Sequence, residues 1–149
     1  MSGVAVRRTI VVKVPIETAF DVFTGEIDSW WPRTHPIGKS DMTRIAVDGR
    51  VGGRCYTQRD WGHVLVWEPP NRFVFAWQIT HAWENQSDLS RCSEVEVTFA
   101  SLADGATRVE VEHRHFERHG AGGGAMRAAV DAPNGWTVVL AMFVARLSR

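Results

Sequence analysis

His113, His115 and His119, with Glu117 between the last two, are the side chains in this sequence best suited to chemistry. Histidine is the residue whose ordinary charge change falls between about pH 5 and 8, so it serves as acid, base or metal ligand. His113 and His115 lie two residues apart, the spacing that puts both on one face of a strand. Two histidines and a carboxylate make a conceivable zinc or iron site. His119, however, falls beyond the strand, and no HExxH or cysteine pairing accompanies it, so no metal and no cofactor is expected. Two readings stay open. The histidines are hydrogen-bonded groups at the end of a sheet, or they are polar groups in a pocket that orient a ligand or move a proton. In the second case His113 is the candidate catalytic residue.

The second chemical signal is aromatic. The chain has seven Trp and seven Phe but one Tyr, and each large ring buries roughly 150–250 Å². That is either core packing or the wall of a pocket for an apolar or ring-containing ligand. Trp77 shares a strand face with Phe75 and is expected to touch pocket space. Trp61, beside Asp60 and His63, is expected at the rim or, with Trp67, as cover for the sheet. Trp30 and Trp31 are read as packing for short helices. Arg54 is expected at the surface, or inward with Tyr56 if a carboxylate or an anionic ligand meets it. His35 is given no role. Phosphate loops, dinucleotide fingerprints and nucleophile elbows are absent, and Gly122-Gly123-Gly124 reads as a hinge.

These side chains need elements to position them. Val6–Val14 is rich in β-branched residues, with Ile10, Val12 and Val14 expected inward. Pro15 suits the start of a helix, Glu17 favours its dipole, and Ile16, Ala19, Phe20 and Phe23 recur at helical spacing. A second short helix is expected over Glu26–Trp31, then a loop over Pro32–Asp41. Strands follow at Met42–Val47, Gly53–Arg59, Trp61–Trp67, Arg72–His81, Ser93–Ser101 and Arg108–His115. Asp48-Gly49 and Asp104-Gly105 are hairpin signals, and Glu68-Pro69-Pro70-Asn71 is a turn. One-sided alternation marks an antiparallel sheet with one wet face. Its cover is a long C-terminal helix carrying Trp136, Leu140, Phe143 and Leu147, with Asn134 as N-cap and a separate helical turn at about Ala125–Ala132. The expected fold class is α+β: a helix-grip fold, with a curved seven-stranded antiparallel sheet around that helix and two short helices after the first strand. One helix cannot fill the concavity, so a pocket should remain.

Bulk properties narrow the function classes. At 149 residues the chain suits a single domain spanning 1–149. Lys plus Arg (17) balance Asp plus Glu (17), which argues against a nucleic-acid partner. No apolar run is long enough for a membrane span, and the N-terminus lacks a signal peptide's apolar core, so a cytoplasmic protein is expected. Cys55 and Cys92 fit no metal spacing and read as buried free thiols.

Several stretches together resemble the SRPBCC superfamily (START-related, birch-pollen-allergen-like), in the branch of the heat-shock-chaperone ATPase activator. They are Val14-Pro15-Ile16-Glu17, Trp30-Trp31-Pro32, Val51-Gly52-Gly53-Arg54, Trp67-Glu68-Pro69-Pro70, Phe73-Val74-Phe75-Ala76-Trp77, Val111–Phe116 and Gly135-Trp136. The resemblance covers nearly the whole chain, and it implies the helix-grip fold with an internal pocket. The hairpin at Gln58-Arg59-Asp60 is shorter than in similar proteins, which would open the pocket mouth. The pocket is expected to be lined by Tyr56, Trp61, Phe75, Trp77, Val97, Phe99, Val111, His113, His115, Trp136, Leu140 and Phe143. The first functional expectation is a binding protein for a small apolar or amphipathic molecule, lipid-like or polyketide-like. Alternatives are a cyclase, dehydratase or hydrolase using a pocket histidine, and an interaction module for a chaperone or a homodimer.

Overall fold

The computed structural model describes residues 5–32, 44–57 and 60–148. His35, Arg59 and the first residues of the strand expected at Met42 lie outside them. Seven strands form one antiparallel sheet: β1 (Val6–Val12), β2 (Ala46–Val47), β3 (Arg54–Tyr56), β4 (Asp60–Glu68), β5 (Arg72–Trp77), β6 (Ser93–Ser101) and β7 (Thr107–Arg114), in the order β1-β7-β6-β5-β4-β3-β2. Three α-helices accompany it: α1 (Ile16–Gly25), α2 (Gly123–Asp131) and α3 (Val138–Leu147). The sheet with its C-terminal helix is the helix-grip architecture expected from the alternation pattern.

Register decides which side chains meet. Phe73, Phe75 and Trp77 stand opposite Val97, Val95 and Ser93 across β5 and β6. Val95, Val97 and Phe99 in turn face His113, Val111 and Val109 across β6 and β7. Opposed residues share a sheet face, so these residues form one buried wall. The other face carries charge. Glu96 pairs in register with Glu112, and Arg114 lies between them, donating to Glu96 at 2.6 Å and to Glu112 at 3.5 Å. Arg72 also bonds Glu96.

α1 starts where the sequence predicts. The amide of Ala19 bonds the Pro15 carbonyl at 3.0 Å, and Ala19, Phe20, Val22 and Phe23 are buried. Beyond it a 3-10 turn, Ile27–Ser29, replaces the expected second helix. It is fastened by the Trp30 indole, which donates to the Val22 carbonyl at 3.0 Å.

The C-terminal cover comes in the two pieces expected, a separate helical segment and then the helical stretch that carries Trp136, Leu140, Phe143 and Leu147. Phe116–Asp131 and Pro133–Leu147 meet at a bend of 47°, and α3 begins at Val138 without the expected Asn134 cap. The cause is local. Proline disfavours helical geometry in its predecessor, and Ala132 is extended (φ −63, ψ 158). At Gly135 a β-carbon would sit 2.2 Å from the Val130 carbonyl oxygen, so only glycine lets the chain cross there. Arg8, inward on β1, secures the joint: its guanidinium donates to the Asp131 carboxylate (2.9 Å), the Asp131 carbonyl (3.1 Å) and the Thr137 hydroxyl (3.0 Å). The glycine-rich stretch expected as a hinge is structured too. Gly122 ends a 3-10 segment (Phe116–Gly122), and Gly123 and Gly124 begin α2. No single helix among the described residues is long and apolar enough to cross a membrane.

Candidate functional site

The aromatic side chains inside the sheet form two adjoining clusters, linked by Trp30 and Trp31 at 5.9 Å. Phe20, Phe23, Trp30, Phe99 and Phe143 pack together at ring separations of 5.0–5.8 Å beneath α1 and α3. The second group closes on itself. Trp31 lies 6.2 Å from Trp61, Trp61 5.4 Å from Phe75, Phe75 6.4 Å from Trp77, Trp77 6.0 Å from Trp136, and Trp136 6.3 Å from Trp31. All five rings are buried.

Trp61 enters this ring through an irregularity in the sheet. Cys55 pairs with Gly62 and Tyr56 with Asp60, which leaves Trp61 without a partner on β3. An extra residue of this kind re-aims a side chain, and Trp61 is turned to the interior rather than to the expected rim. Gly62 makes room, because a β-carbon there would lie 2.9 Å from that of Cys55.

Two members of the ring have a polar group left over. The indole N–H groups of Trp61 and Trp77 are buried with no acceptor among the described residues. A buried unsatisfied donor costs about 1–3 kcal/mol, and native proteins contain few. The indoles of Trp30 and Trp136, by contrast, are bonded.

The Trp136 indole leads to the histidines. It donates to His113 Nδ1 at 3.1 Å. His113 Nε2 lies 2.8 Å from Ser93 Oγ, and Ser93 Oγ lies 2.7 Å from His119 Nε2. Indole is a donor only, which fixes the tautomer of a neutral His113. His113 accepts at Nδ1 and carries its hydrogen on Nε2, which it donates to Ser93. The Ser93 hydroxyl donates to His119 Nε2, so His119 carries its hydrogen on Nδ1. Burial, and secondarily His119, holds the His113 pKa well below the ordinary histidine value. Burial, then His81, lowers that of His119. Both rings are therefore neutral at neutral pH.

The expected site residues divide accordingly. Phe75, Trp77, Trp61, Trp136 and His113 come together around the aromatic ring. Val97, Val111, Phe99, Leu140 and Phe143 are buried in the same core, with Phe99 and Phe143 in the other aromatic group. His115 corrects an expectation. β7 ends at Arg114, and His115 turns out of the strand in the left-handed region (φ 65), half-exposed and 4.0 Å from Glu117. It therefore does not share the face of His113. Tyr56 is half-buried under the exposed Arg54 guanidinium, 4.4 Å from its ring centroid, and Arg54 bonds Asp60. Ser93 is the member the sequence reading passed over; Trp31, expected as helix packing, joins the ring, and His119, singled out by residue type, joins His113 through Ser93. Ser93 was within reach, since it shares the alternation phase of Val95, Val97 and Phe99.

Other features lie apart from this site. A groove of about 360 Å³ on the outer sheet face is lined by Leu65, Ala76, Leu89, Ser90, Glu94 and Arg118. Among the described residues no group of three or more His, Cys, Asp or Glu side chains could hold a metal ion. Cys55 and Cys92 are free and buried, and burial pushes the Cys92 thiol up to about 11.

An antiparallel sheet of this order, closed over a C-terminal helix around an aromatic interior, belongs to the SRPBCC class of folds. Residues 13–148 match the family described as Activator of Hsp90 ATPase homolog 1-like protein, and the chain belongs to that family. Among solved structures it is similar to the anthrahydroquino-γ-pyrone synthase Txn09, at 36% identity over 97% of each chain with a TM-score of 0.67. It is also similar to CalC, a self-sacrificing resistance protein from Micromonospora echinospora (28% identity, 97% of this chain and 94% of that one, TM-score 0.67). PFC0360w, an HSP90 activator from Plasmodium falciparum, shares the fold at 22% identity over 98% and 97% of the two chains (TM-score 0.69). No curated protein matches the sequence.

Proposed function

We propose that this protein binds a small, uncharged, oxygen-bearing aromatic molecule of polyketide-like chemistry, inserted among Trp31, Trp61, Phe75, Trp77 and Trp136. The observation that carries this reading is the pair of buried indole N–H groups, on Trp61 and Trp77, that find no acceptor. A ligand with two carbonyl or hydroxyl oxygens would satisfy both while its flat rings stack on the walls. No Lys, Arg, Asp or Glu is buried among the described residues, so the interior favours a neutral ligand. The similarity to Txn09 and CalC supports this chemical class.

A second reading, cyclisation of the bound molecule, draws support from the synthase named in the Txn09 structure. In that case His113 would act through its partners, since both of its ring nitrogens are already engaged. A chaperone partner rests on the family description alone. The large exposed hydrophobic residues, Val11, Val51, Trp83 and Met142, come from separate elements, which lends little support to a homodimer face.

Titration with 1,8-dihydroxyanthraquinone, followed by calorimetry and by native mass spectrometry of freshly purified protein, tests the proposal. Saturable one-to-one binding that weakens in Trp61→Phe and Trp77→Phe is expected, with oleate binding more weakly. Absence of saturable binding, together with an empty protein on purification, would overturn it.

A further inference from the structure

We propose that Ser93 and His119 are positioning residues that hold His113 in a single tautomer and, through it, Trp136 in the aromatic wall, so that protonation of His119 loosens that wall. The only premise taken from the preceding reading is that the wall is where a ligand sits.

The argument is one of donor counting. Trp136 cannot accept, so the chain Trp136 to His113 to Ser93 to His119 runs in one direction only. It ends on His119 Nε2, the acceptor that the Ser93 hydroxyl meets among the described residues; the Ser93 amide points to the same nitrogen at 3.4 Å. Ser93 and His113 are fully buried, whereas His119 is half-buried. Solvent protons therefore reach the chain at His119.

Protonation there removes that lone pair. The Ser93 hydroxyl would then face N–H groups from both histidines and have no acceptor for its own proton. The alternative is for Ser93 to donate to His113 Nε2, which moves the His113 hydrogen to Nδ1. It would then oppose the Trp136 indole N–H, donor against donor. Either outcome leaves a donor without an acceptor in a buried network, where partial satisfaction is costly. Trp136 also sits beside Gly135, on the segment between α2 and α3, so its release would be transmitted to the helix joint.

The charged and titratable surroundings of His119 are few. His81, from the loop after β5, packs its ring where a Gly122 side chain would otherwise lie. Its Coulombic influence and burial both disfavour the imidazolium. Glu94 on β6 is occupied by Arg118 and Arg114. On its own segment, Glu117 lies against His115. Arg91, with Asp88 before it, belongs to the 3-10 turn Leu89–Arg91 packed against this segment. On α2, Arg127 and Asp131 pair with each other. Among the described residues, the carboxylates around His119 are thus engaged elsewhere: Glu94 by arginines, Asp131 by Arg127, Asp88 by Ser90, and Glu117 against His115.

The test is long-range 1H–15N NMR of the full chain between pH 8 and pH 5, which needs no ligand. The expected spectrum shows His113 with its hydrogen on Nε2 and His119 with its hydrogen on Nδ1. The Trp136 indole resonance should shift along the His119 titration. In Ser93→Ala the Trp136 resonance should no longer follow pH. In His119→Gln, whose amide oxygen still accepts from Ser93, Trp136 should keep its high-pH position across the range. A hydrogen on His113 Nδ1 at pH 8, or a Trp136 resonance indifferent to the His119 titration in the unmodified protein, would overturn the proposal. If 1,8-dihydroxyanthraquinone binds, its affinity should fall at least several-fold from pH 8 to pH 5 in the unmodified protein and stay level in His119→Gln. Failure of that ligand to bind at any pH counts against the function and leaves the NMR result to decide the coupling.

Discussion

Replacing Trp61 by Phe should cost far less stability than replacing Trp30 by Phe, although both rings are about 1% exposed. In each case the substitution removes one edge of a packed indole, and core truncations of this modest size cost about 1–2 kcal/mol through lost contacts and a small cavity. The difference lies in the nitrogen. Trp30 Nε1 donates to the Val22 carbonyl at 3.0 Å, so its loss forfeits a buried hydrogen bond and adds about 1 kcal/mol. Trp61 Nε1 bonds nothing, so its removal relieves a desolvation penalty of about 1–3 kcal/mol. The two terms nearly cancel for Trp61→Phe, and the same holds for Trp77→Phe. A gap of at least about 2 kcal/mol should separate these variants from Trp30→Phe, or roughly 4–8 °C in Tm for a chain of this size. Urea unfolding followed by far-UV circular dichroism measures it, with equal m-values confirming a common unfolded state. Equal losses in all three variants would refute the reasoning, since the orphaned N–H groups would then carry no cost for a ligand to relieve.

Further outcomes follow from the geometry. His113 and His119 are both held below the ordinary histidine value, burial being the first cause in each, so below about pH 6.5 the unfolded chain binds protons that the folded chain refuses. Stability should therefore fall as pH drops from 7 towards 5, by up to about 1.4 kcal/mol per pH unit for each histidine; urea midpoints at pH 7, 6 and 5 that do not move would contradict this. For Glu94 and Glu96, burial raises the pKa but the bonds to Arg118, Arg114 and Arg72 outweigh it and hold both low, so their contribution persists above about pH 4.3 and is lost only below it. Gly135→Ala, whose β-carbon would meet the Val130 carbonyl at 2.2 Å, should lose about 1–3 kcal/mol or more. Gly124→Ala, in open space within α2, should gain up to about 1 kcal/mol in the same thermal melt.

How much of this could be read from the sequence depended on whether the signal was local. Ser93–Ser101 alternates cleanly because one face is buried and the other carries charge, and it appears as the strand predicted. Arg72–His81 reads as one apolar strand, yet the ladder stops at Trp77. Ile79 continues only as an isolated bridge to Asn85, since burial alone makes an apolar run without ladder partners. His115 has the right spacing from His113, but spacing cannot reveal the left-handed turn that ends the strand one residue earlier. The long C-terminal helix was inferred from the spacing of Trp136, Leu140, Phe143 and Leu147. The break at Ala132 falls before that pattern, at the end of the helical segment expected over Ala125–Ala132, and leaves the four residues on one stretch.

The site itself was half visible for a related reason. His113 stood out by residue type, and Trp77 by its phase on β5. His119 stood out by type as well, but Ser93, which joins it to His113, gains its meaning only when β6 and β7 are laid in register and the chain after Arg114 folds back over their ends. Trp61 points inward only because β4 holds one residue more than β3 can pair, an irregularity that period-two reasoning is built to ignore. The departures from the simple pattern thus coincide with the residues that build the aromatic ring and its hydrogen-bonded histidines. The extra residue on β4 brings in Trp61, the left-handed turn at His115 carries His119 back to Ser93, and the Ala132–Gly135 crossing presents Trp136 to His113. A regular sheet under an unbroken helix would keep Trp61 out of the aromatic ring and would not join Trp136 through His113 and Ser93 to the half-buried His119.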